Sequence, residues 1–118
     1  MRRPKNCISV TKAKELQKNW NDTRALDIER VLGARDINAV TFNIDQLQEF
    51  IDYVKSESAK QRIANPGIRV YFAAYNNAVS DKATVFLNAT ESDDGNAANN
   101  YGIDPLNFGD GLWPPYNY

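Results

Sequence analysis

The sequence predicts a small α+β fold: an antiparallel sheet of two to three strands packed by two to three helices, with an irregular aromatic and proline-rich C-terminal segment docked on the sheet. Three observations predict it. Apolar residues recur at helical spacing in the first half of the chain, two β-branched and aromatic runs separated by a polar connection follow, and the last eighteen residues, YGIDPLNFGDGLWPPYNY, combine five aromatics with three prolines and no basic residue. The 118 residues fit one domain, and 42% hydrophobic with 25% charged residues is globular rather than disordered composition.

A basic opening, MRRPKNCI, is expected to be a flexible arm over residues 1–8. It has no apolar stretch behind it of the kind a secretory signal carries. Val10, Ala13, Leu16 and Trp20 then lie at helical spacing, with Ser9 or Thr11 as N-cap, and predict a helix over about 10–19. The Asn19–Thr23 cluster reads as a break, after which Ala25, Ile28 and Leu32 form the buried stripe of a second stretch ending at Gly33. Whether these are one kinked helix or two is open at this stage.

Ile37–Phe42 has the composition of a short strand. Asn43, with Gln46 three residues on, opens the clearest helix, whose stripe is Ile44, Leu47, Ile51, Val54 and Ser58. It must end before Asn65-Pro66-Gly67, because proline cannot continue a helix and the residue before it avoids the α region.

Gly67–Tyr75 is the strongest strand, with Ile68, Val70, Phe72 and Ala74 on one face and Arg69, Tyr71, Ala73 and Tyr75 on the other. Ala83–Ala89 returns as its hairpin partner. Both strands carry large apolar residues on both faces, so the face opposite the helices calls for a cover. Residues 91–100, ESDDGNAANN, read as a mobile polar loop, which closes a 9–90 core. Segment 101–118 is expected to pack its apolar side chains on the face bearing Tyr71, Tyr75 and Phe86, either in its own chain or in another.

Charge is polarised along the chain. Residues 1–35 hold nine basic and four acidic residues, a net of +5, whereas Glu91, Asp93, Asp94, Asp104 and Asp110 give −5 with no basic residue after Lys82. Such asymmetry can dock one end on the other or on a second copy.

The chain contains no histidine, which removes Ser-His-Asp and Cys-His catalysis, histidine zinc sites and a histidine general base. The carboxylate pairs Asp45/Glu49 and Glu49/Asp52 read as a solvated helix face. SDDGN fails the EF-hand pattern, since placing Gly95 sixth puts Thr90 first and Tyr101 twelfth, where carboxylates belong. FGDGLW lacks a third glycine and a strand-to-helix setting, and Asn117 stands where a PPxY ligand has tyrosine. Lys14 and Lys18 with the basic arm could touch phosphate, but a pI near 5.4 and the acidic end argue against nucleic acid as a partner. No catalytic residue, cofactor or metal is expected. A lone Cys7 and the lack of any apolar run long enough to span a membrane point to the reducing cytoplasm.

The stretches SVTKAKELQKNW, FNIDQLQEFIDYVK, NPGIRVYFAAY, TVFLNAT and DPLNFGDGLWPP, in this order, resemble a family of small uncharacterised proteins of Bacteroidota, flavobacteria above all. The resemblance covers most of the chain and implies a bacterial cytoplasmic protein, with no active site to carry over. The residues themselves imply a non-catalytic interaction or assembly module that binds a protein partner or itself, through Arg69, Tyr71, Tyr75, Phe108, Trp113, Tyr116 and Tyr118. The alternative is a small-molecule or enzymatic pocket between the sheet and the C-terminal segment, with Arg69, Tyr71 and Tyr75 as its polar groups.

Overall fold

The computed structural model describes residues 1–107 and 109–111, the last two by backbone alone. The fold is α+β, built from three helices and two small antiparallel sheets among these residues. Helix α1 spans Val10–Asp22, with the Ser9 hydroxyl accepting the Lys12 amide at 3.0 Å. Thr23 leaves helical geometry at φ −126°, ψ −85°, so the break yields two helices, and α2 runs Arg24–Leu32. Gly33 closes α2 at φ 84°, a left-handed conformation that glycine enters without a Cβ clash, and its amide reaches Glu29 O at 2.8 Å.

Neither α1 nor α2 buries a residue fully. The half-buried line on α1 is Ala13, Gln17 and Trp20, while Val10 and Leu16 of the expected stripe are exposed. The stripe is rotated because α1 packs on α2 rather than lying over a sheet.

The expected 37–42 strand is reduced to β1, Val40–Thr41. Asn43 then caps α3, Ile44–Lys60, its side-chain oxygen accepting the Gln46 amide at 3.0 Å. Strand β2, Gly67–Ala74, pairs antiparallel with β3, Ala83–Thr90, in a register that sets Val70 opposite Leu87 and Phe72 opposite Val85. A two-residue strand β4, Asp110–Gly111, pairs with β1.

The core sits where α3 crosses β3. Phe50 and Val54 meet Leu87, Ala89 and Ile103, with Phe42, Leu47 and Leu106 packed around them. Residues 100–106 run along the outer edge of β3, and Asn107 reaches the face of Tyr75 and Thr84, while Phe108 and residues 112–118, expected on that face, lie outside the described residues. Leu106 exchanges backbone hydrogen bonds with Leu87 at 2.8 and 2.9 Å, and Asn100 donates to Ala89 O at 2.9 Å. This run carries Ile103 into the core at 1% exposure. An open strand edge attracts such a run, since its amides and carbonyls need partners wherever water is excluded.

Ile103 is thus a core residue supplied from the far end of the chain. Ile103→Ala is expected to lower the unfolding free energy by about 2–5 kcal/mol in urea titrations, through lost burial and the cavity left behind.

Candidate functional site

Two surfaces of the hairpin differ in what they offer. On one face lie Arg69, Tyr71, Phe86 and Asn88, and this face is covered by the 91–100 loop. Arg69 donates from Nη1 to Asn99 Oδ1 at 2.7 Å, and from Nη2 to the carbonyls of Ala97 and Gly95 at 2.9 and 3.1 Å. Asn99 Oδ1 also accepts from Asn88 at 2.9 Å, and its amide group donates to the Tyr71 hydroxyl at 2.7 Å. Tyr71 stacks on Phe86 with ring centroids 5.1 Å apart. Tyr75 donates to Asn107 Oδ1 at 3.0 Å.

The loop expected to be mobile therefore has polar anchors within the chain. Asn88 and Asn99, which join the two strands to the loop, were missed in the sequence because an Asn-rich run resembles a solvated connection. Their signal was positional, since Asn88 sits in an apolar strand beside Arg69 in register. Of the predicted interaction residues, Arg69, Tyr71 and Tyr75 are brought together on one face but spend their polar groups inside the chain. Phe108, Trp113, Tyr116 and Tyr118 lie outside the described residues.

The other face is different. The pairing of Leu87 with Leu106 turns the Leu87 backbone groups away from β2, so Val70, its neighbour in register, points its own amide and carbonyl away from β3. The same alternation applies to Ile68, Phe72 and Ala74. No described residue hydrogen-bonds to the backbone of these four, so the outer edge of β2 is open among the described residues. Their side chains stand on the face that α3 only partly covers, and Ile68, Val70 and Phe72 are 40%, 54% and 88% exposed. At the Phe72 end a groove of about 190 Å³ runs between Trp20 and Ile28 of the helical pair, Val40, and the sheet residues Phe72 and Val85. Sequence reading placed Ile68, Val70, Phe72 and Ala74 on one face of β2, and they share it, but α3 is one helix wide and reaches β3 without covering the whole of β2.

Ion pairs in the first 35 residues are local. Each acidic residue of the first 35 is taken by a nearby base: Glu15 by Lys12, Asp22 by Lys18, Asp27 by Arg30 and Glu29 by Arg35. Arg2, Arg3, Lys5, Lys14 and Arg24 remain without an ion-pair partner among the described residues, and so do Glu91, Asp93, Asp94 and Asp104. Asp45, Glu49 and Asp52 stand exposed along α3. Among the described residues no three acidic or cysteine side chains converge as a metal-binding set.

Comparison with known proteins finds no matching family model, no similar curated protein and no matching solved structure. No helix of the described residues is long and apolar enough to cross a membrane.

Hydrogen bonds from Asn99, and then Arg69, hold the Tyr71 phenol below its ordinary value of 10.0. Because the folded value is the depressed one, the resulting stabilisation is present above about pH 10 and is lost as pH falls through the folded value, so it is absent at neutral pH. Asn99→Ala is expected to move the Tyr71 titration, followed by NMR of labelled tyrosine, toward the ordinary value. Arg69→Ala leaves the Gly95 and Ala97 carbonyls without their side-chain donor and Asn99 Oδ1 with Asn88 alone. It is expected to cost about 1–3 kcal/mol and to speed amide exchange across residues 91–99.

Proposed function

We propose that this chain is a non-catalytic protein-interaction or assembly module whose contact surface is the outer edge of β2. The observation that carries the reading is the coincidence, on Ile68, Val70, Phe72 and Ala74, of unpartnered backbone groups with an exposed apolar row. A strand of this kind is a template for adding another strand: main-chain hydrogen bonds supply affinity and alternate side chains supply selectivity. Strands that end at a sheet edge in water are commonly protected by a proline, a lysine or a bulge. Here β2 has none of these between Gly67 and Ala74, and its one charged residue, Arg69, points into the covered face.

The alternative, a small-molecule pocket using Arg69, Tyr71 and Tyr75, draws less support because those polar groups already bond to Asn99, the loop carbonyls and Asn107. The reading places the module in the cytoplasm, supported by a single exposed thiol, Cys7, with no second cysteine to pair with.

Val70→Pro tests the reading with little disturbance of the hairpin. The Val70 amide points away from β3, so proline there removes an edge donor and leaves the β2–β3 ladder its own bonds. Tagged wild-type chain is expected to retain a defined partner, an untagged copy of itself included, that the Val70→Pro chain releases. Identical recovery by the two baits, with both folded by circular dichroism, would remove the β2 edge as the contact surface.

A further inference from the structure

We infer that the partner at the β2 edge is a second copy of this chain, paired antiparallel to it about a two-fold axis at Tyr71. The inference rests on the reading of the edge as an interface and adds the occupant and the register.

Register follows from two constraints that coincide. Ile68, Val70, Phe72 and Ala74 alone direct backbone groups outward, so only pairings that oppose these residues to one another form hydrogen bonds. The same pairings keep the apolar row of both copies on one face of the joined sheet, because residues opposed across an antiparallel pair share a face. An axis at Tyr71 sets Val70 against Phe72 of the copy and Ile68 against Ala74, so that all four outward residues are used. Arg69 then faces Ala73 of the copy, and no like charges oppose each other.

Charge favours the antiparallel sense. The Gly67 end of β2 lies beside the acidic loop: Asp93 and Asp94 line a cleft with Gly67 and Ile68. The Phe72 end lies beside the helical pair that carries Lys14 and Arg24, joined to it through the groove at Trp20 and Ile28. Local pairs such as Lys82 with Asp81 and Arg35 with Glu29 offset part of the field at that end, but Lys14 and Arg24 are in no ion pair among the described residues. Antiparallel pairing brings each acidic loop toward the basic helices of the other copy, twice over, whereas parallel pairing would set like against like.

Sedimentation of the full chain over a micromolar concentration series tests the inference, with Val70→Pro alongside. The wild type is expected to dimerise and Val70→Pro to remain monomeric with an unchanged circular dichroism spectrum. In a Cys7→Ser background, Tyr71→Cys places two thiols on the axis, in a pair whose Cα atoms lie about 4.5 Å apart and within disulfide reach. Mild oxidation is expected to give a covalent dimer, whereas Ala73→Cys, four residues out of register with its own copy, gives none. If Tyr71→Cys does not fold, the Val70→Pro comparison decides alone. A monomer at every concentration, a dimer that survives Val70→Pro, or equal cross-linking through residues 71 and 73 would overturn the inference. Release of a different protein by Val70→Pro would, in those cases, leave the edge as an interface with another occupant, and its absence would remove both.

Discussion

The structure turns on the width of one helix. Helix α3 sets Phe50 and Val54 on Leu87 and Ala89, and this contact with Ile103 is the only place where several large apolar side chains are fully withdrawn from water among the described residues. A helix is about 10 Å across and neighbouring strands are about 4.8 Å apart, so one helix can cover two strands when centred between them. Here it is centred on β3 and the edge run beyond it. The core is therefore displaced toward the C-terminal side of the sheet, and β2 receives only its margin.

That displacement explains why the two edges of the hairpin differ. On the β3 side, Asn100 and Leu106 supply backbone partners and Ile103 fills the space under α3, so edge and core are closed together. On the β2 side no segment of the described chain does the equivalent. The helical pair approaches only the Phe72 end and leaves a groove rather than a packed contact. A radius of gyration of 16.5 Å, against about 13.5 Å for a compact domain of this length, accords with elements arranged around a small core rather than folded into one.

Much of this was legible in the residues. Asn43 with Gln46 marks the start of α3, Gly33 the end of α2, and Asn65-Pro66-Gly67 the step from helix to strand, because each depends on local geometry that the chain enforces wherever it lies. Alternation along Gly67–Ala74 assigns the two faces of β2 correctly for the same reason. What alternation cannot carry is which apolar row finds a cover. Ile68, Val70 and Phe72 share the face that alternation gives them and are exposed on it, whereas Arg69 and Tyr71 read as an interaction surface and are engaged with Asn99. Those outcomes depend on contacts between residues far apart in the chain, such as Arg69 with Asn99 and Leu87 with Leu106.

The polar cover and the apolar exposure are two sides of one arrangement. A loop as hydrophilic as ESDDGNAANN could not shield Val70 and Phe72, since it has no apolar side chain larger than alanine to lay on them, but it can satisfy a guanidinium, and Arg69 offers one. Once the loop is fixed on that face by Arg69, Asn88 and Tyr71, β2 is held flat against β3 with its orientation set. Its outer groups are then presented as a fixed array instead of a fraying edge. Rigidity of that kind lowers the ordering cost that any added strand must overcome. The cluster on the covered face thus ties β2 to the loop through Arg69 and Tyr71, on the face opposite the exposed apolar row.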